Sequence, residues 1–272
     1  DVVSTNYLES FWDRDHEKYP QLILMESEMA VGDLGYDFFN FDHSYPVGQF
    51  YWGGTDYIGE SFGWPAKGWV RGLIDFTNRL KPLGQSVKSF YTTKPMTKII
   101  TRPRGGAGNR VWNDLKMTWI TLEEHWNYKE GDTLTIQVAS NCKETELFLN
   151  GKSLDRKALP KQATTEGGKG IAPELTWQTP YIPGKLEAVG YDSEGKVIAS
   201  DRLATAGKPH HIIANVDKKT LKANGVDLAY IDYVVVDKQG NVVPTPVKLT
   251  FSVKGAATLQ AQASGDMLSH EP

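Results

Sequence analysis

The chain has 272 residues, a length that suits about two domains. Its composition, 40% hydrophobic and 23% charged with a formal net charge of -3, is that of a folded protein and argues against a nucleic-acid or anionic-membrane surface. No apolar run approaches the roughly 20 residues of a membrane-spanning helix, and a single cysteine, Cys142, excludes an internal disulfide without settling the compartment. Aromatics stand out: there are 8 Trp and 12 Tyr, and Trp12, Trp52, Trp64 and Trp69 fall in the first 70 residues. Flat rings of this kind stack on the C–H faces of sugars, and they also fill ordinary cores; composition does not choose between the two.

Residues 1–93 read as alternating strand and helix. DVVSTNY is a short strand and SFWDRDHEKYP a helix-like connection ending at Pro20. QLILMES is an apolar strand of the type buried on both faces of a parallel sheet. GYDFFNFDHSYP is a crossover, GQFYWGG another strand, and Trp69 to Phe90 a final helical excursion. This succession is the pattern of parallel α/β architecture. The chain opens on Asp1 directly in a strand-like run and stops at Pro272 with no closing element, so both ends are expected to be cuts.

After Lys94-Pro95 the long crossovers vanish and short alternating strands follow. TLTIQVAS precedes ETELFLNGKSL, in which Asn150-Gly151 is a hairpin turn. KLEAVGYDSEGKVIASDRLAT and LAYIDYVVVDKQGNVVP share a local repeat: Asp192-x-x-Gly195-Lys196-Val197 matches Asp237-x-x-Gly240-Asn241-Val242. The repeat predicts two β-sandwich modules in tandem, over 94–206 and 207–272, joined near Ala206-Gly207-Lys208-Pro209. Gln162 to Gly170, rich in Gly, Thr and Lys, is expected to be a mobile loop.

The chemistry-bearing candidates lie near the start. QLILMESEMAVG ends an apolar strand in two carboxylates, Glu26 and Glu28, which strict alternation places on one face. At the carboxyl end of a barrel strand, Glu28 can attack an anomeric carbon, with a partner acid roughly 5–5.5 Å away in a retaining mechanism. A strand-end salt bridge is the competing reading. In GQFYWGGTDYIGE, Trp52 falls at a strand end, followed by Asp56, Glu60, Trp64 and Trp69, either a sugar-binding wall or a loop packed by its own rings. No His/Cys cluster has metal-ligand spacing, and there is no phosphate loop or nucleophile elbow.

Three stretches of the first 95 residues resemble the closing strands of the barrel of glycoside hydrolase family 2: DVVSTNY, YPQLILMESEMA, and GQFYWGGTDYIGES–GWPAKGWVRGLIDFTNRLKP. EHWNYKEGDTLTIQVASNCKETELFLNGKSL and HIIANVDKKTLKANGVDLAYIDYVVVDKQGNVVP resemble the sandwich modules that follow that barrel. The resemblance implies the C-terminal part of a (β/α)8 TIM barrel over 1–93, about strands 6–8, then two immunoglobulin-like β-sandwiches, the second truncated. It implies Glu28 as nucleophile, Tyr7 as the donor that orients it, and Trp52, Asp56 and Trp64 as substrate-side residues, with Asp56 more a brace for its loop than a contact. The general acid/base belongs to an earlier barrel strand, outside this chain, so these residues alone are expected to be inactive.

Further implications concern the substrate. Trp69-Val70-Arg71 stands where β-glucuronidases of the family carry an Asn-x-Lys for the sugar carboxylate, which favours a neutral sugar. The reaction implied is that of a retaining exo-β-glycosidase, a β-galactosidase acting on terminal β-D-galactosides by double displacement. The alternatives are β-glucuronidase or β-mannosidase, or non-catalytic carbohydrate-binding or structural modules. Val31 and Arg71 replace residues that serve a cation site in some relatives, so no metal and no cofactor is expected. A glycoside is the only partner implied, with a homo-oligomer left open and neither nucleic acid nor membrane called for. The resemblance also implies periplasmic or secreted localisation in a bacterium.

Overall fold

The computed structural model describes residues 1–8, 11–29, 45–61, 63–103, 107–112, 115–120, 122–159 and 175–270. Strands β1 (Val2–Asn6), β2 (Ile23–Met29) and β3 (Pro46–Tyr51) form one parallel sheet with β2 in the middle. Parallel neighbours need a crossover between them. Helix α1 (Trp12–Lys18) supplies the first, and it carries Asp13 and Asp15 in its first turn and His16 and Lys18 in its last, the order a helix dipole favours. Trp12 is buried against Leu24, with Val3, Leu22 and Tyr45 around them, and its indole N–H donates to Thr5 Oγ1 at 3.0 Å. That contact seats the helix on the sheet. The second crossover, GYDFFNFDHSYP, lies outside the described residues up to Ser44.

Beyond β3, the two-residue strands β4 (Tyr57–Ile58) and β5 (Gly68–Trp69) pair antiparallel and frame a loop over 59–67. The helical excursion expected from Trp69 to Phe90 is helical only as α2 (Pro82–Tyr91). The reason is local. Asp75 Oδ1 accepts from the Thr77 amide and hydroxyl and from the Arg79 amide, at 2.8, 2.8 and 2.9 Å, and Asn78 is left-handed at φ 66°. A side-chain-capped turn of this kind competes with helix, and Pro82 then supplies a helix start.

A β-sandwich follows. Strand β6 (Thr97–Pro103) is followed by a separate antiparallel ribbon, β7 (Ala107–Trp112) and β8 (Leu115–Ile120). Then come β9 (Thr133–Ser140), β10 (Glu144–Leu149), β11 (Lys152–Ala158), β12 (Leu175–Pro180), β13 (Lys185–Tyr191) and β14 (Val197–Ala204). One sheet has the order β11-β10-β13-β14 and the other β12-β9-β6. Their facing sides share one core, including Ile99, Ile136, Val138, Leu147, Trp177 and Leu186. Buried positions alternate along β10 and β13, as the period-2 pattern requires. Trp126 plugs this core edge-on to Tyr181, at 5.2 Å between ring centroids, and donates its N–H to Ile182 O at 3.0 Å. Asn150 and Gly151, at φ 52° and 80°, make the expected hairpin turn between β10 and β11. The stretch Gln162 to Gly170 lies outside the described residues.

At the expected joint, Asn127 clamps Ala206 through both its backbone groups, at 2.8 and 2.9 Å. Strands β15 (His211–Val216) and β16 (Ile231–Val236) then pair antiparallel. The sequence repeat is a structural one. Asp192 Oδ1 accepts from the amides of Glu194 and Lys196, both at 2.9 Å, and Asp237 Oδ1 accepts from those of Gln239 and Asn241 at 2.9 and 2.8 Å. Gly195 and Gly240 take φ 80° and 86°. The return strand differs: β14 is a full strand after the first turn, whereas after the second only Val242 bridges back, to Val236. Among the described residues, 243–270 form no further strand, and β15 and β16 make one two-stranded sheet. VKLTFSV alternates as a strand should, yet it has no ladder partner among the described residues.

Candidate active site

Because β1, β2 and β3 run parallel, their carboxyl ends share one edge. Asn6 is paired with Glu28 and Met29 with Tyr51, so Tyr7, Glu28 and Trp52 emerge side by side. The pairing slips between Thr5, opposite Glu26, and Asn6, opposite Glu28. Strict alternation, which would set the two glutamates on one face, is therefore interrupted between them. Such bulges are frequent beside active sites, where they re-aim a side chain.

The two carboxylates sit in different surroundings. Glu26 is fully buried and accepts from Gln49 Nε2 at 2.8 Å. Glu28 is half-buried and bonded on both oxygens. The Tyr7 phenol donates to its Oε1, and Asn6 Nδ2 donates to its Oε2 at 3.3 Å. Ser27 Oγ donates to Asn6 Oδ1 at 2.6 Å, which fixes which end of that amide faces Glu28. Tyr7 holds a left-handed backbone at φ 56°, a conformation costing a non-glycine residue about 1 kcal/mol or more. Its amide donates to Glu28 O at 3.2 Å, so the strained residue is tied to Glu28 at both backbone and side chain. Burial, then the bond to Glu28, push the Tyr7 phenol up, with the charges of Glu26 and Glu60 adding to the shift. Tyr7 therefore stays a proton-bearing donor.

Trp52 lies at the rim and is 38% exposed. The chain turns behind it at Gly53, φ 59°, where a β-carbon would sit 2.3 Å from the Trp69 indole nitrogen. That nitrogen donates to Gly53 O at 3.0 Å, so buried Trp69 is a brace and Trp52 the presented ring. Asp56 is buried, and its carboxylate is taken up by Lys81 Nζ at 3.0 and 2.8 Å and by the Gly72 amide at 2.7 Å. Burial pushes its carboxyl up against the opposing pull of Lys81 and Gly72. These contacts make Asp56 a loop brace. Tyr57 donates to Glu60 at 2.5 Å, which pushes that phenol up to about 12. Trp64 is 83% exposed and stacks on His270, with ring centroids 4.3 Å apart. Arg71 is buried. Among the described residues no group of three His, Cys, Asp or Glu side chains is placed to hold a metal ion.

Sequence pattern alone does not single out Asn6, Ser27 or Gln49, all strand neighbours of the glutamates. Asn6 was within reach, since it directly precedes Tyr7 at a strand end. Nothing local could have linked His270 to Trp64, 206 positions earlier in the sequence.

Residues 131–199 match the family described as "Domain of unknown function (DUF4982)", and residues 212–272 match "Glycoside hydrolase family 2 C-terminal domain 5". Beta-galactosidase BoGH2A of Bacteroides ovatus is 29% identical over 85% of this chain and 24% of its own length. A putative beta-glucuronidase of Formosa agariphila is 29% identical over 75% of this chain and 17% of its own. The crystal structure of a glycosyl hydrolase family 2 member from Bacteroides cellulosilyticus matches with a TM-score of 0.70 at 28% identity, over 89% of this chain and 30% of that one. The chain is a relative of the glycoside hydrolase family 2 enzymes. The second family match takes in β15, β16 and everything after them, and the first spans β9 to the start of β14. Neither includes Tyr7, Glu28 or Trp52. A β-glycosidase from Bacteroides vulgatus shares the fold, with a TM-score of 0.65 at 22% identity. The chain spans about a quarter or less of the length of the curated relatives named here.

Proposed function

We propose that this chain carries the nucleophile side of a retaining exo-β-glycosidase whose substrate is a terminal β-D-galactoside. One observation carries the reading: Glu28 ends the middle strand of a parallel sheet with one oxygen held by the Tyr7 phenol and the other by the Asn6 amide. Hydrogen bonds to the charged form keep a carboxylate ionised and aimed. Glu28 attacks the anomeric carbon and forms a glycosyl ester while an acid protonates the departing oxygen. Water, deprotonated by the same group, then cleaves the ester. Trp52 is the floor under the sugar ring, and Trp64 belongs to the leaving-group side.

In this reading residues 1–93 are strands 6–8 of a (β/α)8 barrel, and 94–206 and 207–272 are immunoglobulin-like modules behind it. Three strands cannot close a barrel of eight, so the acid/base comes from chain beyond these 272 residues. The neutral sugar is supported by Trp69-Val70-Arg71, which lacks the Asn-x-Lys that the family's β-glucuronidases carry for the sugar carboxylate. β-Glucuronidase is the second reading, since that is the name of the Formosa agariphila relative.

The test uses the full-length protein. Glu28→Gln is expected to lower kcat on an aryl β-galactoside at least about 10³-fold, about 4 kcal/mol of barrier, with KM little changed. Wild-type turnover in that variant contradicts the assignment of Glu28, and a higher kcat/KM on the β-glucuronide than on the β-galactoside contradicts that of the sugar.

A further inference from the structure

We propose that His270, brought to the rim by the C-terminal segment, completes the leaving-group subsite with Trp64: a two-module shelf that stacks a neutral sugar ring and accepts one of its hydroxyls at His270 Nδ1. The proposal rests on Glu28 marking the point of cleavage.

Trp64 is the most exposed of the described large hydrophobic side chains, yet the loop that carries it is tightly built. Gly59 N donates to Lys67 O at 3.3 Å, Ala66 N to Gly63 O at 3.0 Å, and Ser61 Oγ to Ala66 O at 2.6 Å. Gly63 N closes the turn on Ser61 Oγ at 3.1 Å. An exposed indole on a fixed backbone presents flat apolar area with little entropy left to lose. The loop continues from Trp52, so it rises from the same sheet edge as Glu28. The charge of Glu60, within this loop, also reaches the Tyr7 phenol.

The C-terminal segment is anchored to the loop at three points. Lys67 N donates to Met267 O at 3.0 Å, and Met267 is buried at 3% exposure. His270 lies on Trp64 with its ring 4.3 Å away and tilted by 21°. Its Nε2 is 2.7 Å from Pro65 O. A carbonyl only accepts, so Nε2 carries the proton, and in the neutral ring Nδ1 is left as an acceptor. The stack uses one face of the indole and the other stays open. A ring face beside an oriented acceptor fits a pyranose, which offers apolar C–H faces and hydroxyl edges. Trp52 is already placed beside Glu28, so a second ring farther along the loop serves the sugar that leaves.

The experiment compares lactose, which has a leaving-group sugar, with methyl β-D-galactoside, which has none, in the full-length protein. Trp64→Ala is expected to lower kcat/KM on lactose about tenfold, and His270→Ala about fivefold. Both losses should be at least about threefold smaller on methyl β-D-galactoside than on lactose. His270→Phe keeps the stack and removes Nδ1, so about a threefold loss on lactose is expected; wild-type rates would make His270 a prop and overturn its role. Calorimetry on the Glu28→Gln background, with lactose and galactose as probes, separates this proposal from the reading it rests on. Weaker lactose binding with unchanged galactose binding supports the shelf even if Glu28→Gln retains turnover. Equal losses on both sugars, or no lactose binding at all, overturn it.

Discussion

The sandwich and the parallel-sheet edge treat the same residue types in opposite ways. In the sandwich Trp126, Trp177 and Tyr181 are buried in one core, and carboxylates such as Glu144 and Glu187 sit toward solvent in ion pairs with Arg156 and Lys185. At the edge, Trp52 and Trp64 face out while Glu26 and Asp56 are sealed in. Burying a charge and exposing a large ring both work against stability. Their combination on one edge, together with the left-handed Tyr7, marks a place where the fold holds side chains for something other than packing.

Three substitutions sharpen that contrast. The largest effect belongs to the sandwich. Trp126→Ala removes a fully buried ring that joins both sheets and is expected to cost about 3–5 kcal/mol in denaturant unfolding. Turnover per folded molecule should be unchanged. Next is Lys81→Met, which leaves the Asp56 carboxylate buried without its cation. About 3 kcal/mol is expected, and much of it should return in the Asp56→Asn, Lys81→Met pair, because the pair removes the stranded charge. A cost that does not recover would mean the loop is held by packing alone.

The smallest effect concerns Asp237. The Gly207 amide, then the Asn241 side chain and nearby amides, hold its carboxyl down at about 2. The folded value lies below the unfolded value of about 3.9, so the stabilisation is complete above pH ~4 and is lost as pH falls toward 2. Melting temperatures measured at pH 5 and pH 3 should therefore fall more for the wild type than for Asp237→Asn. Equal falls would mean these bonds do not couple to folding.

Regular periods made most of the fold legible in the sequence. TLTIQVAS is β9 residue for residue, the Asn150-Gly151 turn has the backbone its residues demand, and the Asp192 and Asp237 turns repeat bond for bond. What escaped depended on contacts between distant segments or on local competition. Residues 70–81 look compatible with helix until Asp75 captures their amides. The slip between Glu26 and Glu28 exists only in the pairing of β1 with β2. Tyr7, Glu28 and Trp52 were named from the sequence, and the structure sets them on adjacent strand ends. Asn6 and Ser27 became visible only once register placed them beside Glu28, and His270 only once its module was docked.

The most direct test of the central claim is covalent trapping of the full-length protein with an activated 2-deoxy-2-fluoro-β-galactoside, followed by peptide mass spectrometry. Trypsin releases Tyr19 to Lys67 as one peptide containing both glutamates, since no Lys or Arg lies between its ends. The account predicts one fluorogalactosyl group on that peptide, with fragmentation placing it on Glu28. A label on Glu26, or on any other peptide, would contradict it.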